Sequence, residues 1–211
     1  MTTLPDSVKR AMDEGPIVAY FGYGSLVNRT TLRTQFIDAQ PARLYGWRRC
    51  WRPRKRDDSI DTERRSSMLG ARPHTGDAID GLLVYDRLDH LPAVDAREAT
   101  YDRVCVQVDY LEVSGPVPEE CPVYIYEAHT NSAAHDPGAP ILQSYLDAVM
   151  QGFMHEFGEA GVLGFLHSTD GFDRPVRADR HAPVYSRAVD LPDHQRSLFD
   201  TMLVERGIDF V

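Results

Sequence analysis

The order of apolar segments predicts an α+β fold: strands and helices are interspersed without a regular βα alternation, on a mixed sheet or small β-barrel with flanking helices. Three observations carry this. Two apolar runs, Ile17–Phe21 and Ile79–Tyr85, have the composition of central strands. From Tyr101 to Val113, Val104, Val106, Val108 and Tyr110 alternate with Arg103, Gln107 and Asp109, the period of a half-buried strand. From Pro140 to Phe157, apolar residues instead recur at helical spacing. With 211 residues, no internal repeat and no low-complexity linker, the chain reads as a single domain, 1–211, with a core over about 16–160 and a C-terminal helical extension over about 161–211.

Taken in order, Ser7–Glu14 is a short polar helix capped by Ser7 and stopped by Gly15-Pro16. The strand Ile17–Phe21 ends at the glycine turn Gly22-Tyr23-Gly24-Ser25, and a helix is expected from Asn28 to Phe36. Ala42–Trp51 mixes β-formers with arginine and reads as a strand running into the charged loop 52–65. In that loop the basic cluster Arg52-Pro53-Arg54-Lys55-Arg56 is followed at once by Asp57, Asp58, Asp61 and Glu63. The acids cancel the local field, so the loop is expected to be a solvated, mobile surface without a nucleic-acid role. Ser67–Ala71 and Ala78–Tyr85 read as two strands joined by a turn over 72–77, and Cys121–Ala128 supplies a further strand. Pro140 suits a first helical position and Gly158 a stop, and a last amphipathic helix spans Asp193–Arg206.

A net charge of −9 argues against a general nucleic-acid or anionic-membrane partner and favours a small molecule. Cys50, Cys105 and Cys121 are odd in number and lack a Cys-x-x-Cys spacing, which suggests neither a disulfide framework nor a zinc ribbon. No apolar stretch approaches the roughly 20 residues that span a bilayer, and the N-terminus lacks a signal layout. The expectation is a cytoplasmic protein. His129, His135, His155 and His167 form no His-x-x-x-His pair with a nearby acid, so no metal site is expected. Gly22-Tyr23-Gly24 lacks the third glycine of a dinucleotide fingerprint, and no Gly-Lys-Ser/Thr follows it.

A strand that delivers a glycine turn to a helix start gathers backbone N–H groups in one place, where a carboxylate or phosphate can bind; a tight turn without a ligand has the same pattern. Phe21-Gly22-Tyr23-Gly24-Ser25-Leu26 resembles the Tyr-Gly-Ser-Leu signature of the γ-glutamylcyclotransferase superfamily, which includes the ChaC-like and AIG2-like proteins. Some seventy residues later, Asp95-Ala96-Arg97-Glu98-Ala99-Thr100-Tyr101 resembles that superfamily's second motif, in which the glutamate is catalytic. Tyr145, near the start of the Pro140 helix, matches a tyrosine that reaches the pocket in such proteins, although core packing would explain it equally well. The resemblance covers about Val18 to Met154 and leaves the C-terminal residues unexplained.

What the resemblance implies is a γ-glutamylcyclotransferase-like small mixed β-barrel that converts a γ-glutamyl amino acid, peptide or amine to 5-oxoproline and a free amine, without metal or organic cofactor. Both reactants lie in one molecule, so the protein has only to fold the substrate and manage protons. Tyr23, Gly24, Ser25, Leu26 and Tyr145 would hold the substrate, and Glu98 would be the general acid/base. A partly desolvated pocket would raise the pKa of Glu98, opposed by any pairing with Arg97 or Arg103. The residues after Glu98, Ala99-Thr100-Tyr101, depart from the Lys-Gly-Gly-Tyr type of the glutathione-specific ChaC-like proteins, which leaves the γ-glutamyl substrate open. The alternative is a non-catalytic binding or sensing protein that uses the same anion pocket.

Overall fold

The computed structural model of the chain describes residues 3–32, 35–53, 66–128 and 138–211. Most of the charged loop (residues 54–65), His129 and His135 lie outside them. The strands are β1 (Ile17–Gly22), β2 (Asp38–Pro53), β3 (Ser67–Arg87), β4 (Tyr101–Cys105), β5 (Leu111–Val113), β6 (Val123–Ala128), β7 (Ile141–Leu142), β8 (Thr169–Asp170) and β9 (Val176–Arg177). The α-helices are α1 (Asp6–Glu14), α2 (Leu91–Arg97), α3 (Gln143–His167) and α4 (Asp193–Glu205). The main sheet runs β4-β6-β1-β3-β2-β5, with β8 added to β2; β1 with β6 and β2 with β8 are parallel and the other pairs antiparallel. The α+β class with a mixed sheet is therefore as expected. The barrel is not closed: its two edges, β4 and β5, do not pair. The sheet is nonetheless curled, because only five residues separate Cys105 from Leu111 and so short a segment spans at most roughly 20 Å.

The same geometry corrects the single strand expected over Tyr101–Val113. Its period holds through Val106, whose N–H donates to Val123. The chain then leaves one edge through a 3-10 turn at Val108–Tyr110 and joins the other edge as β5, leaving Val108 and Tyr110 exposed. The turn expected over 72–77 is absent as well. β3 is continuous from Ser67 to Arg87 because β2 pairs with it along nearly its whole length, with one register shift between Tyr45 and Trp47.

Three helix expectations change at their ends. α1 begins after Pro5, and the Ser7 hydroxyl, instead of capping it, donates to Asp38 (2.6 Å). Among the described residues of the stretch 28–36 there is no α-helix; Ser25–Val27 and Arg29–Thr31 form two 3-10 turns and Leu32 is extended. Here the polar side chains compete with helical hydrogen bonds: Asn28 Oδ1 accepts from Thr30 N–H, and the Thr31 hydroxyl donates to the Ser25 carbonyl. α3 starts at Gln143 rather than Pro140, because Ile141 and Leu142 pair as β7 with β9. Gly158 does interrupt α3, with a left-handed φ of 66° that suits a residue lacking Cβ, but helical structure resumes and continues to His167.

The core lies between the sheet and α3. β1 is buried throughout, and Leu146, Val149, Met150 and Phe153 of α3 are fully buried. Each such side chain contributes about 1.5–3 kcal/mol on leaving water. Val176, Phe199, Leu203 and Ile208 of the C-terminal segment belong to the same apolar cluster. The segment also holds the start of α3: Asp179 accepts from Ser144 N–H (2.8 Å) and from its hydroxyl (2.6 Å). Arg49, read from sequence as part of a charged approach, is 1% exposed. Its guanidinium carbon lies 5.0 Å from the Phe153 ring centroid and 5.2 Å from that of Phe165. It donates to Asp80 O, Ser168 Oγ and Thr169 Oγ1, and burial lowers its pKa to about 9, so it stays charged at neutral pH.

Candidate active site

The glycine turn is fixed from both sides. β1 carries Tyr20 and Phe21 into the core, and α3 comes close enough that Asn28 Nδ2 donates to Ala148 O and Gln151 Oε1, both at 2.9 Å. Between these supports the chain makes its 3-10 turn at Ser25–Val27. The N–H groups that open such a turn have no earlier carbonyl of the same turn to take them. A Cβ at Gly24 would stand 2.9 Å from the Tyr145 hydroxyl and 3.2 Å from Leu69 Cδ2, so those two side-chain ends would have to shift to admit one.

The second motif closes over this turn. Glu98 caps the C-terminal end of α2; its N–H donates to Val94 O, and its carbonyl accepts from Tyr101 N–H. Glu98 and Arg97 keep only 15% and 11% of their side-chain surface. Arg97 Nε lies 3.0 Å from Glu98 Oε1, yet this is proximity without hydrogen-bond alignment, because the buried Nε–H has no hydrogen-bond acceptor. The rest of the guanidinium reaches the turn: Nη1 donates to Thr31 O (2.9 Å) and Nη2 lies 3.4 Å from Ser25 Oγ. Of the two arginines near Glu98 in sequence, Arg97 is thus the neighbour, and Arg103 turns away to Asp95 (2.7 Å).

Phe21, Tyr23, Gly24, Ser25, Leu26, Leu69, Glu98, Tyr101, Tyr126 and Tyr145 line one cleft, which opens to solvent. All six residues singled out from sequence are among them. Sequence reasoning did not assign Leu69 or Tyr126 to the site, Tyr101 entered only as part of a motif, and Arg97, which stands beside the cleft, entered only as a possible partner of Glu98. The tyrosines are chained by hydrogen bonds. Tyr23 OH donates to Tyr126 O (2.5 Å), Tyr126 OH to Asp95 Oδ1 (2.7 Å), and Tyr101 OH to Leu69 O (2.8 Å). Burial, with smaller contributions from Tyr101, Tyr145 and Glu98, holds the Tyr23 phenol well above its ordinary pKa, so it stays a neutral donor. With its hydroxyl committed to Tyr126, Tyr23 presents its ring and backbone to the cleft. Tyr145 stands edge-on to Trp51 and to Tyr185, with ring centroids 5.8 and 5.0 Å away.

No histidine is among the described residues lining the cleft, so none of these offers Ser25 an imidazole base. Among the described residues no group of three or more His, Cys, Asp or Glu is placed to hold a metal ion, and no helix is long and apolar enough to cross a membrane.

Comparison with known proteins adds the following. Residues 20–144, well over half of the chain, match the family model described as γ-glutamyl cyclotransferase, AIG2-like. No curated protein matches significantly. Among solved structures, one named γ-glutamyl cyclotransferase superposes with a TM-score of 0.51 at 14% identity, over 88% of this chain and 99% of its own. An uncharacterized protein from Homo sapiens gives 0.49 at 16% identity, over 87% and 98% of the two chains. A glutathione-specific γ-glutamyl cyclotransferase from yeast gives 0.44 at 11% identity, over 90% and 97%. The first of these likenesses supports the fold and, at that identity, nothing finer.

Proposed function

Because the chain belongs to the AIG2-like γ-glutamyl cyclotransferase family, we propose that it is an enzyme that cyclises a γ-glutamyl compound to 5-oxoproline and releases an amine. The observation that carries this reading is the meeting of the two motifs. Glu98 and the Gly24–Leu26 turn, distant in sequence, line one cleft, and Arg97 contacts both.

In the proposed reaction the substrate's α-amine attacks its own γ-carbonyl carbon. The new N–C bond closes a five-membered ring, and the bond to the leaving nitrogen breaks. Glu98 takes the proton that the α-ammonium must lose before attack and returns it to the leaving nitrogen; the second proton, shed by the attacking nitrogen as the ring closes, follows the same route, so the amine leaves as an ammonium and no net proton is consumed. Proton transfer of this kind contributes about 10²–10⁴ in rate. Arg97 places its guanidinium 3.0 Å from the Glu98 carboxylate. The turn's N–H groups and the Ser25 hydroxyl receive the substrate's polar oxygens, including the carbonyl oxygen as it gains charge. The cleft's tyrosine walls hold the folded substrate and exclude water.

The test is 5-oxoproline release from a panel of γ-glutamyl amino acids, γ-glutamylamines and glutathione. Turnover of at least one supports the reading. Binding of panel members with no 5-oxoproline from any of them overturns it in favour of a binding or sensing protein.

A further inference from the structure

Resting on that reading, we infer that a second cleft, next to the first, receives the substituent on the leaving nitrogen and selects an uncharged, apolar one. The two clefts share Tyr101 and Tyr145 as a common wall. Beyond those tyrosines lies a small cleft, open to solvent, completed by Ser66, Ser67, Met68, Leu142 and Tyr185. With the γ-glutamyl group beside Glu98 and the glycine turn, the part of the substrate that can extend past Tyr101 and Tyr145 is what the leaving nitrogen carries.

The lining decides what fits. Among the described residues it contains no lysine, arginine, aspartate or glutamate. Its Ser67 hydroxyl donates to Ala139 O (2.8 Å) and its Ser67 N–H to Pro140 O (2.7 Å), so both are engaged with the protein's own backbone. Met68, Leu142 and Tyr185 are at least nine-tenths buried. A flexible thioether, an aliphatic side chain and three rings suit an alkyl or aryl group, whereas an ammonium or carboxylate placed there would lose its water without gaining a counter-charge.

Tyr185 lies beyond the residues that match the family, 20–144. Tyr185 comes from the C-terminal segment, where its N–H donates to Ser144 Oγ (3.2 Å) and its ring stands at 86° to that of Tyr145. The segment that sequence left unexplained therefore supplies one side of the subsite.

The test uses an isosteric pair, γ-glutamyl-n-pentylamine and γ-glutamyl-putrescine, which differ by a methyl against an ammonium at the chain tip. The expected kcat/KM ratio favours the pentyl compound by about tenfold or more, the sign of an uncompensated charge in an apolar site. Met68→Glu is expected to lower that ratio at least tenfold, and a ratio is insensitive to general loss of activity. The wild-type ratio requires no variant to fold. A ratio near one, or one favouring putrescine, in a protein that turns over any γ-glutamyl compound overturns the subsite and leaves the proposed reaction standing. If no compound releases 5-oxoproline, the reaction fails and the subsite falls with it.

Discussion

Two arginine–carboxylate groups, each with a largely buried carboxylate beside its arginine, are built in opposite ways. Beneath α3, Arg180 donates to both oxygens of Asp147 (2.7 and 3.0 Å) and to both of Asp200 (2.9 and 2.7 Å). In the cleft, Arg97 approaches Glu98 to 3.0 Å without an aligned hydrogen bond and directs its other nitrogens to Thr31 and Ser25. The first group meets the full geometric demand of buried charge, and its effect is to tie the C-terminal segment to α3. The second leaves donor capacity unused beside an opening, which is what a site that must accommodate a ligand requires. Similar residue types therefore separate into a fastening and a site by how fully the arginine's donors are used.

The largest effect that would test this contrast is on stability. Arg180→Ala leaves Asp147, whose side chain is 2% exposed, without its cation, and should cost about 3 kcal/mol or more in urea unfolding. A loss below about 1 kcal/mol, the range of a surface ion pair, would mean that the group beneath α3 is no fastening.

Glu98→Gln should do the reverse. It keeps shape and reach but cannot carry the proton, so 5-oxoproline formation should fall by about 10² or more with substrate binding retained. Its urea midpoint should move less than that of Arg180→Ala. Near-parent turnover would remove Glu98 from the chemistry and erase the distinction between the two groups.

The smallest effect concerns a third, more exposed group. Arg48 donates to Asp170 (2.8 and 2.7 Å) and to Asp77 (2.8 Å), and these bonds hold both carboxyls below their ordinary pKa. A depressed folded-state pKa gives stability that is present above the unfolded value of 3.8 and is lost as pH falls through the lower folded value. Asp170 is over a third exposed, so screening limits its share to about 0.5 kcal/mol. Asp170→Asn should accordingly lower the urea midpoint slightly at pH 6 and flatten its fall between pH 4 and pH 2. An unchanged acid limb would show that these bonds contribute nothing to folding.

Much of the site was legible because its two motifs are local. The turn Gly22–Leu26 and the stretch Asp95–Tyr101 can each be read from consecutive residues, and Tyr145 from its place at a helix start. Arg97 was visible only as a charge beside Glu98, since nothing in the sequence says that its guanidinium reaches Ser25. Leu69 and Tyr126 carry no motif; they reach the cleft because β3 and β6 flank β1 in the sheet.

The sequence by itself determined the α+β class, the strand β1 with its turn, the amphipathic helices and the acidic surface, because hydrophobic period, glycine and net charge act over a few neighbouring residues or over the whole chain at once. Tertiary structure alone decided the rest. It merged two short runs into the continuous β3, by offering β2 as a partner along it, and it split Tyr101–Val113 between two edges of a curled sheet. It also took Arg49 out of water and placed it between Phe153 and Phe165, more than a hundred residues away. These outcomes depend on which distant groups meet, and a side chain's partner at long range is set by packing of the whole chain rather than by the residues beside it.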